Sequence, residues 1–93
     1  MNVFISYATE DKDCVKKIEV IFKNLGIQYF LDRENIAWGG QFQDEINVGL
    51  LKCSIFLVVL SPASLKSAWV HFETGQAAAM GKTILTYLQT QEQ

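Results

Sequence analysis

The chain has few of the residues from which disulfide frameworks and metal sites are built. Its 93 residues include two cysteines, Cys14 and Cys53, and a single histidine, His71. Two cysteines are too few for the disulfide scaffold of a small secreted domain, and one histidine leaves a zinc site short of ligands. These shortages argue against both a disulfide-stabilised fold and a conventional metal centre.

Strong charge and long apolar runs are also missing. Ten acidic and eight basic residues give a net charge of −2, which supplies no basic field for nucleic acid or anionic lipid. The longest stretch without charge runs for 13 residues, from Cys53 to Leu65, whereas a membrane-spanning helix needs about 20. The start of the chain lacks the basic region of a signal peptide. The sequence therefore predicts a soluble, cytoplasmic protein with no nucleic-acid partner and no membrane insertion.

Motifs for phosphate binding and for nucleophilic catalysis are absent too. The chain contains no G-x-G-x-x-G, no G-x-x-x-x-G-K-[ST] and no G-x-S-x-G sequence. Cys14 falls on the apolar face of a helix pattern and Cys53 at the entrance of a strand pattern. Both thiols are therefore interpreted as packing groups and not as nucleophiles.

What the chain does contain is a regular alternation of strand and helix patterns. The strand patterns cover Val3–Ile5, Ile27–Leu31, Ser54–Leu60 and Thr83–Leu88, and the helix patterns cover Asp11–Leu25, Gln41–Lys52 and Ser67–Met80. Strands joined through helices by short connections run parallel in right-handed units. The alternation therefore predicts an α/β fold, a parallel sheet with helices on both faces.

Several residues predict where these helices end and how they pack. In the first helix pattern, apolar residues recur every three or four positions, at Cys14, Val15, Ile18, Ile21, Phe22 and Leu25. The polar residues 9–11 are expected to cap this helix at its N-terminus, and Gly26 to end it. Gly49 weakens the second helix pattern, whereas the alanines at 77–79 favour close approach of the third helix to the sheet.

The fourth strand pattern is followed by only five polar residues. Doubly wound domains usually continue with a fifth strand and a last helix, and an uncovered edge strand is a pairing liability. We therefore expect residues 1–93 to form a single domain that is truncated at its C-terminal end. Another chain, or the rest of a longer protein, would then cover the edge.

A candidate site is predicted around Trp69 and Glu73. Residues four apart share one face of a helix, and this helix pattern starts just beyond the carboxyl end of a buried strand, where open α/β sheets bind their ligands. With Gln76 one turn further, the pair would offer a floor and an acid to a flat ligand. Taken singly, Glu73 is more typical of a helix surface, and Trp69 of a core, than either is of a binding site.

Two other loops are expected at the same edge of the sheet. Ser6 and Tyr7 follow the first strand pattern, and Asp32 and Arg33 follow the second. The carboxyl ends of parallel strands lie at one edge, so these residues converge on the crevice that holds Glu73. Solvated turn chemistry is the alternative explanation for the charged residues 32–34.

Three blocks of sequence resemble the Toll/interleukin receptor (TIR) domain, most closely its bacterial type. They are Val3–Ala8 with Glu10 and Asp11; Leu31 and Asp32 leading through Ile36–Gly39 to Ile46, Gly49 and Leu50; and Val58–Pro62 with Ser67–Glu73. The resemblance covers nearly the whole chain. It implies a flavodoxin-like sheet in the order 2-1-3-4, here without the family's fifth strand and last helix.

The resemblance also implies an activity, the cleavage of NAD+ between nicotinamide and ribose in an immune or antiphage system. Glu73 matches the family's catalytic glutamate and Trp69 its aromatic neighbour. The expected substrate-binding residues are Ser6, Tyr7, Asp32, Arg33, Trp38 and Trp69. NAD+ is the substrate, so no cofactor is expected, and other TIR domains are the expected partners.

The segment Asp32–Gly40 corresponds to the family's BB loop, which covers the site and takes part in assembly. Trp38 stands there where many members have proline, a difference that alters the stiffness of the loop. Water as the acceptor would give ADP-ribose, and an adenine nitrogen of the same molecule would give a cyclic product. Two alternatives remain open: a signalling scaffold without catalysis, and an enzyme like the nucleoside deoxyribosyltransferases.

Overall fold

The computed structural model describes residues 2–31 and 49–89, and within these ranges the chain forms a four-stranded parallel sheet. The strands are β1 (Asn2–Ser6), β2 (Gln28–Leu31), β3 (Ile55–Leu60) and β4 (Thr83–Leu88). Their order is β2-β1-β3-β4, with Val3 of β1 opposite Tyr29 of β2 and Ile55 of β3. The predicted strand order and the parallel α/β fold are confirmed.

The helices are α1 (Lys12–Leu25), α2 (Pro62–Leu65) and α3 (Ala68–Ala79), with a 3-10 turn at Thr9–Asp11. Residues 49–52 are also helical, and the rest of the second predicted helix, from Gln41, lies outside the described residues. The short α2 was not among the predicted helices. It forms because Ser61 caps it: the Ser61 hydroxyl accepts a hydrogen bond of 3.0 Å from the Ser64 amide. In return, the Ser64 hydroxyl accepts a hydrogen bond from the Ser61 amide.

Helix α1 ends as predicted, but only some of its apolar side chains are buried. Gly26 adopts the left-handed conformation, with φ of 71°, that stops the helix. Val15 and Ile18 are buried, yet Ile21 is 54% and Leu25 67% exposed. The predicted amphipathic helix is present, and only part of its apolar series is buried, because the sheet contacts only about one third of the helix circumference.

Apolar side chains fill both faces of the sheet. The α3-side cluster comprises Phe4, Leu50, Cys53, Phe56, Val58, Val70 and Ala77. The α1-side cluster comprises Val3, Ile5, Val15, Ile18, Leu57 and Val59. Consecutive strand residues point to opposite faces, so β1 and β3 supply both clusters in turn. Phe4 stacks between Phe30 and Phe56, at centroid distances of 5.3 and 5.5 Å, in the middle of the α3-side cluster.

Gly49, in the helical turn 49–52, lies close to Phe30 of β2. A Cβ atom there would lie 3.0 Å from the Phe30 ring, so glycine at this position serves packing and does not simply weaken a helix. In α3, Ala77 alone of the three predicted alanines is buried; Ala78 and Ala79 are exposed. The close approach to the sheet therefore depends on one alanine.

Strand β4 lies at one edge of the described sheet. It pairs with β3, and five of its six residues, all except Ile84, are exposed. This agrees with the expected uncovered edge. In residues 2–31 and 49–89 no helix is both long and apolar enough to cross a membrane.

Candidate active site

A buried polar contact joins Ser6 of the sheet to Glu73 of α3. Ser6 is the last residue of β1 and points, like Phe4, to the α3 side, because strand residues two apart share a face. Its hydroxyl donates a hydrogen bond of 2.9 Å to the Glu73 carboxylate. Neither side chain has exposed surface. Two of the residues predicted at the site are thus in direct contact.

Helix α3 holds Glu73 on its inward face. Ser67 caps the helix by accepting a bond of 3.1 Å from the Val70 amide, which sets where the helix begins. The buried residues of α3 are Val70, Glu73 and Ala77, spaced by three and four positions. Glu73 therefore occupies a position on a core-facing stripe whose other members are apolar.

A carboxylate in such a position is costly for the fold. Removing an ionised group from water costs several kcal/mol even after relaxation, and hydrogen bonds recover only part of it. The Ser6 hydroxyl provides one such bond, and bonds to charged acceptors are about twice as strong as neutral ones. A buried acid retained at the carboxyl edge of a parallel sheet is typical of a functional group and not of a packing residue.

An aromatic pair lies beside the acid. Trp69 is partly buried and packs against the α3-side cluster. Its ring centroid is 6.0 Å from that of Phe72, which is 50% exposed. Phe72 was not among the predicted site residues, although its spacing of three from Trp69 could have indicated it. The two rings together form an apolar surface near the start of α3.

The remaining predicted substrate-binding residues separate into two groups. Tyr7 is half-buried and its ring packs against the α1-side cluster, on the face of the sheet opposite Ser6. Consecutive side chains along a strand point to opposite faces of the sheet, so Tyr7 and Ser6 lie on different faces. Asp32, Arg33 and Trp38, together with the rest of the Asp32–Gly40 loop, lie outside the described residues.

A second buried contact at this edge was missed by the sequence reasoning. The Ser61 hydroxyl donates a bond of 2.5 Å to the Asp11 carboxylate. Asp11 was expected to cap α1, but at the N-cap position its side chain makes no capping bond. The contact links the end of β3 to the loop after β1. No local signal indicates it, because 50 positions separate the two residues.

The cysteines are not arranged for chemistry. Burial raises the pKa of the Cys53 thiol above its ordinary value, and burial and then the nearby Asp11 carboxylate raise the pKa of Cys14. Both thiols therefore stay protonated at neutral pH, and a protonated thiol is a poor nucleophile. Within residues 2–31 and 49–89, no cluster of three or more His, Cys, Asp or Glu side chains is placed to hold a metal ion.

A surface pocket of about 490 Å³ lies at the opposite edge of the sheet. Its lining residues are Asn2, Ile27, Gln28, Tyr29, Phe30, Gly49 and Lys52. Asn2 and Gln28 begin β1 and β2, whereas Ser6 ends β1. The pocket is therefore separate from the Ser6–Glu73 contact, and none of the lining residues named here is acidic.

Comparison with known proteins identifies relatives along nearly the whole chain. A family model described as the TIR domain matches residues 3–92. The chain is 31% identical over 73 residues to the 2′ cyclic ADP-D-ribose synthase BtTIR of Bacteroides thetaiotaomicron. This alignment covers 77% of this chain and 25% of that protein. It is 32% identical over 73 residues to the NAD(+) hydrolase TcpC of Escherichia coli, in an alignment that covers 77% of this chain and 24% of that protein. The chain thus spans about a quarter of the length of these relatives.

Solved structures share the fold. The TIR domain of the Toll-related receptor TRR-2 of Hydra magnipapillata superposes with a TM-score of 0.75 and 23% identity, covering 98% of this chain and 72% of that one. A 2-desoxiribosyltransferase from Leishmania mexicana superposes with a TM-score of 0.75 and 21% identity. The superposition covers 94% of this chain and 63% of that one. At these identities the likeness concerns the fold alone.

Proposed function

The chain belongs to the TIR domain family, and on that premise we propose that it cleaves NAD+ at the bond between nicotinamide and ribose. The relatives named above are an NAD(+) hydrolase and a 2′ cyclic ADP-D-ribose synthase: the first name gives NAD+ as the substrate, and the second gives a cyclic ADP-ribose as the product. The observation that carries the proposal is the buried Glu73 carboxylate with the Ser6 hydroxyl bonded to it.

The reaction suits a single carboxylate. Glycoside hydrolysis usually needs one acid to protonate the leaving oxygen and a second group as nucleophile or base. Nicotinamide in NAD+ already carries a positive charge, so it leaves as a neutral molecule without a proton. The remaining task is to stabilise the positive charge that develops on the ribose carbon, and an ionised Glu73 does this electrostatically.

Burial strengthens that stabilisation. The attraction between two charges grows as the effective dielectric constant falls, so a carboxylate removed from water acts more strongly on a cationic transition state. The Ser6 bond holds the carboxylate in one orientation, which lowers the reorganisation needed during the reaction. Trp69, beside the acid, supplies a flat apolar surface for the nicotinamide ring.

The acceptor decides the product. Water gives ADP-ribose, and a group within the same molecule gives a cyclic ADP-ribose. The 2′ in the relative's name designates a ribose position. We therefore propose a ribose hydroxyl, in place of the adenine nitrogen considered from sequence, as the internal acceptor if a cyclic product forms.

Self-association with other TIR domains is part of the proposal. We propose that a neighbouring copy contributes to the site, as the BB-loop resemblance of residues 32–40 implies. Activity would then rise more steeply than protein concentration, because assembled chains alone would be competent. Measuring the rate of nicotinamide release per chain across a range of concentrations tests this, and a constant specific activity would argue for an active monomer.

The central experiment compares the wild-type chain with Glu73→Gln. The amide keeps the shape of the side chain and an oxygen that accepts the Ser6 bond, but it removes the charge. We expect nicotinamide release to fall by roughly 100-fold or more, the size of effect seen when a key electrostatic group is removed. Glu10→Gln is the matched control, since Glu10 is exposed and lies in the 3-10 turn.

The alternatives make different predictions in the same assay. A scaffold would release no nicotinamide in any state of assembly, yet would still bind other TIR domains. A deoxyribosyltransferase would act on deoxynucleosides and leave NAD+ intact. Release by Glu73→Gln at the wild-type rate would leave NAD+ cleavage standing but remove Glu73 from it.

A further inference from the structure

One polar group beside Glu73 is not used by the reaction as described. Gln76 is half-buried, and its side-chain oxygen is inaccessible to solvent. Within residues 2–31 and 49–89 no donor forms a hydrogen bond to this oxygen. Buried amide groups in proteins are nearly always hydrogen-bonded, so an orphaned one needs a specific explanation.

The position of Gln76 ties it to the proposed site. It follows Glu73 by three residues and Trp69 by seven, which puts all three on neighbouring positions of one flank of α3. The rise between Glu73 and Gln76 is about 4.5 Å, less than one helical turn. The Gln76 amide therefore lies within reach of a ligand group that sits next to the Glu73 carboxylate.

We propose that Gln76 binds the carboxamide of the nicotinamide leaving group, an assignment that rests on the proposed NAD+ cleavage. The carboxamide stands on a ring carbon two bonds from the nitrogen whose bond is cleaved. A side chain adjacent to the carboxylate that contacts the ribose carbon is therefore near it. The adenine amino group, by contrast, lies beyond the pyrophosphate and out of reach of a residue less than one turn from Glu73.

The chemistry of the two groups matches. A primary carboxamide carries two N–H donors and one carbonyl acceptor, the same set as a glutamine side chain. It donates to the Gln76 oxygen and accepts from the Gln76 nitrogen, and this remains true if the Gln76 amide is turned by 180°. A carboxylate at the same ring position has no donor at neutral pH and leaves the Gln76 oxygen unsatisfied.

The test compares two substrates, NAD+ and nicotinic acid adenine dinucleotide, which differ in that one group. We expect the wild-type chain to prefer NAD+ in kcat/KM by about tenfold or more. In Gln76→Met, which keeps the length of the side chain but has no hydrogen-bonding group, kcat/KM for NAD+ should fall roughly five- to twentyfold. For the acid dinucleotide it should change by less than about twofold, so the preference is lost.

Inhibition by the free products gives a second measurement. Nicotinamide should inhibit the wild-type chain more strongly than Gln76→Met by a similar factor, whereas nicotinic acid should not distinguish them. Gln28→Met serves as the matched control, because Gln28 is exposed on β2 at the far edge of the sheet. Circular dichroism and thermal unfolding verify that each variant is folded.

The outcomes separate this assignment from the proposed function. An active wild-type chain whose substrate preference is unchanged in Gln76→Met would overturn the role of Gln76 and leave NAD+ cleavage intact. A wild-type chain that releases no nicotinamide at any concentration would overturn the proposed function, and the assignment of Gln76 with it. Loss of the preference in Gln76→Met but not in Gln28→Met supports the assignment.

Discussion

Ser6 and Glu73 are 67 positions apart in the chain, yet their side chains are joined by a hydrogen bond of 2.9 Å with no solvent access to either. One residue ends a strand and the other lies on the inward face of a helix on the same side of the sheet. The bond therefore couples the orientation of the proposed catalytic acid to the central strand of the fold.

That coupling predicts the behaviour of Ser6→Ala. Without the hydroxyl, the carboxylate loses one donor and the constraint that this bond places on its orientation. We expect kcat for nicotinamide release to fall roughly tenfold, because the effect is on the transition state, while KM changes by less than about twofold. The free energy of unfolding should fall by about 1–3 kcal/mol, the cost of a buried acceptor that has lost a partner.

Ser54→Ala is the control for Ser6→Ala. Ser54 is exposed and its hydroxyl only accepts a weak bond of 3.5 Å from the Asn2 amide. Its removal should change neither kcat nor stability measurably. Equal effects of the two substitutions would contradict a specific role for Ser6.

The contact between Asp11 and Ser61 predicts energetic coupling between two distant loops. Ser61 donates to the Asp11 carboxylate and also caps α2. A double-mutant cycle with Asp11→Ala and Ser61→Ala, followed by urea denaturation, should give a coupling free energy of about 1–2 kcal/mol. The single Ser61 substitution should cost more than this, because it also removes the cap. Additivity within about 0.3 kcal/mol would show that the contact contributes nothing of its own.

Two glycines should respond in opposite ways to replacement by alanine. A Cβ at Gly49 would lie 3.0 Å from the Phe30 ring, which is backed by Phe4 and so has little room to move. A Cβ at Gly75, within α3, would meet nothing within 4 Å. We expect Gly49→Ala to destabilise the fold by about 1–3 kcal/mol and Gly75→Ala to stabilise it by about 0.5–1 kcal/mol.

Thermal and chemical unfolding of the two glycine variants measure both effects. The comparison is internally controlled, since each variant gains the same methyl group and the same helix propensity. If the Gly49→Ala and Gly75→Ala variants had the same free energy of unfolding, the turn 49–52 would be able to move away from β2 without loss of stability.

The buried thiol of Cys53 predicts a loss of stability in alkali. Burial raises the thiol pKa above its ordinary value of 9.0, so the folded chain keeps a proton that the unfolded chain releases. The unfolded state then binds fewer protons, and stability falls as the pH rises beyond 9.0. Below that pH the contribution is fully present. The midpoint of urea denaturation, measured from pH 7 to 10, should fall less in Cys53→Ala than in the wild-type chain.

Tyr29, a half-buried residue of β2, provides a comparison with Cys53. Its hydroxyl donates to Glu19, and that bond raises the pKa of the phenol above 10.0. Tyr29→Phe should therefore also flatten the alkaline fall in stability, but at a higher pH than Cys53→Ala. A fall in stability that is identical in the wild type and in Cys53→Ala would assign the effect to other groups.

Much of the fold followed from local patterns. The continuous apolar run at Ser54–Leu60 predicted a central strand covered on both faces, and residues 56–59 are all buried. Gly26 predicted the end of α1 because the left-handed conformation found there favours glycine. The missed helix α2 shows the limit of this approach. Ser61 and Ser64 each have ordinary turn propensity, and only their mutual bonds make one turn of helix stable.

The site was predicted less completely. The positions of Trp69 and Glu73 followed from helical spacing, and the convergence of the strand ends followed from parallel topology. Strand alternation alone would have put Tyr7 on the face opposite Ser6, a consequence that the sequence reasoning did not draw. Phe72 was overlooked although its spacing from Trp69 was visible.

The sequence by itself determined the alternation of strands and helices, the family blocks and the presence of an acid on the helix after β3. These are local properties, since period and capping act over a few residues. Only the tertiary structure decided that Glu73 is buried, that Ser6 donates to it, and that Asp11 accepts from Ser61 instead of capping α1. Such contacts join residues 50 or more positions apart, and they depend on how the helices lie on the sheet.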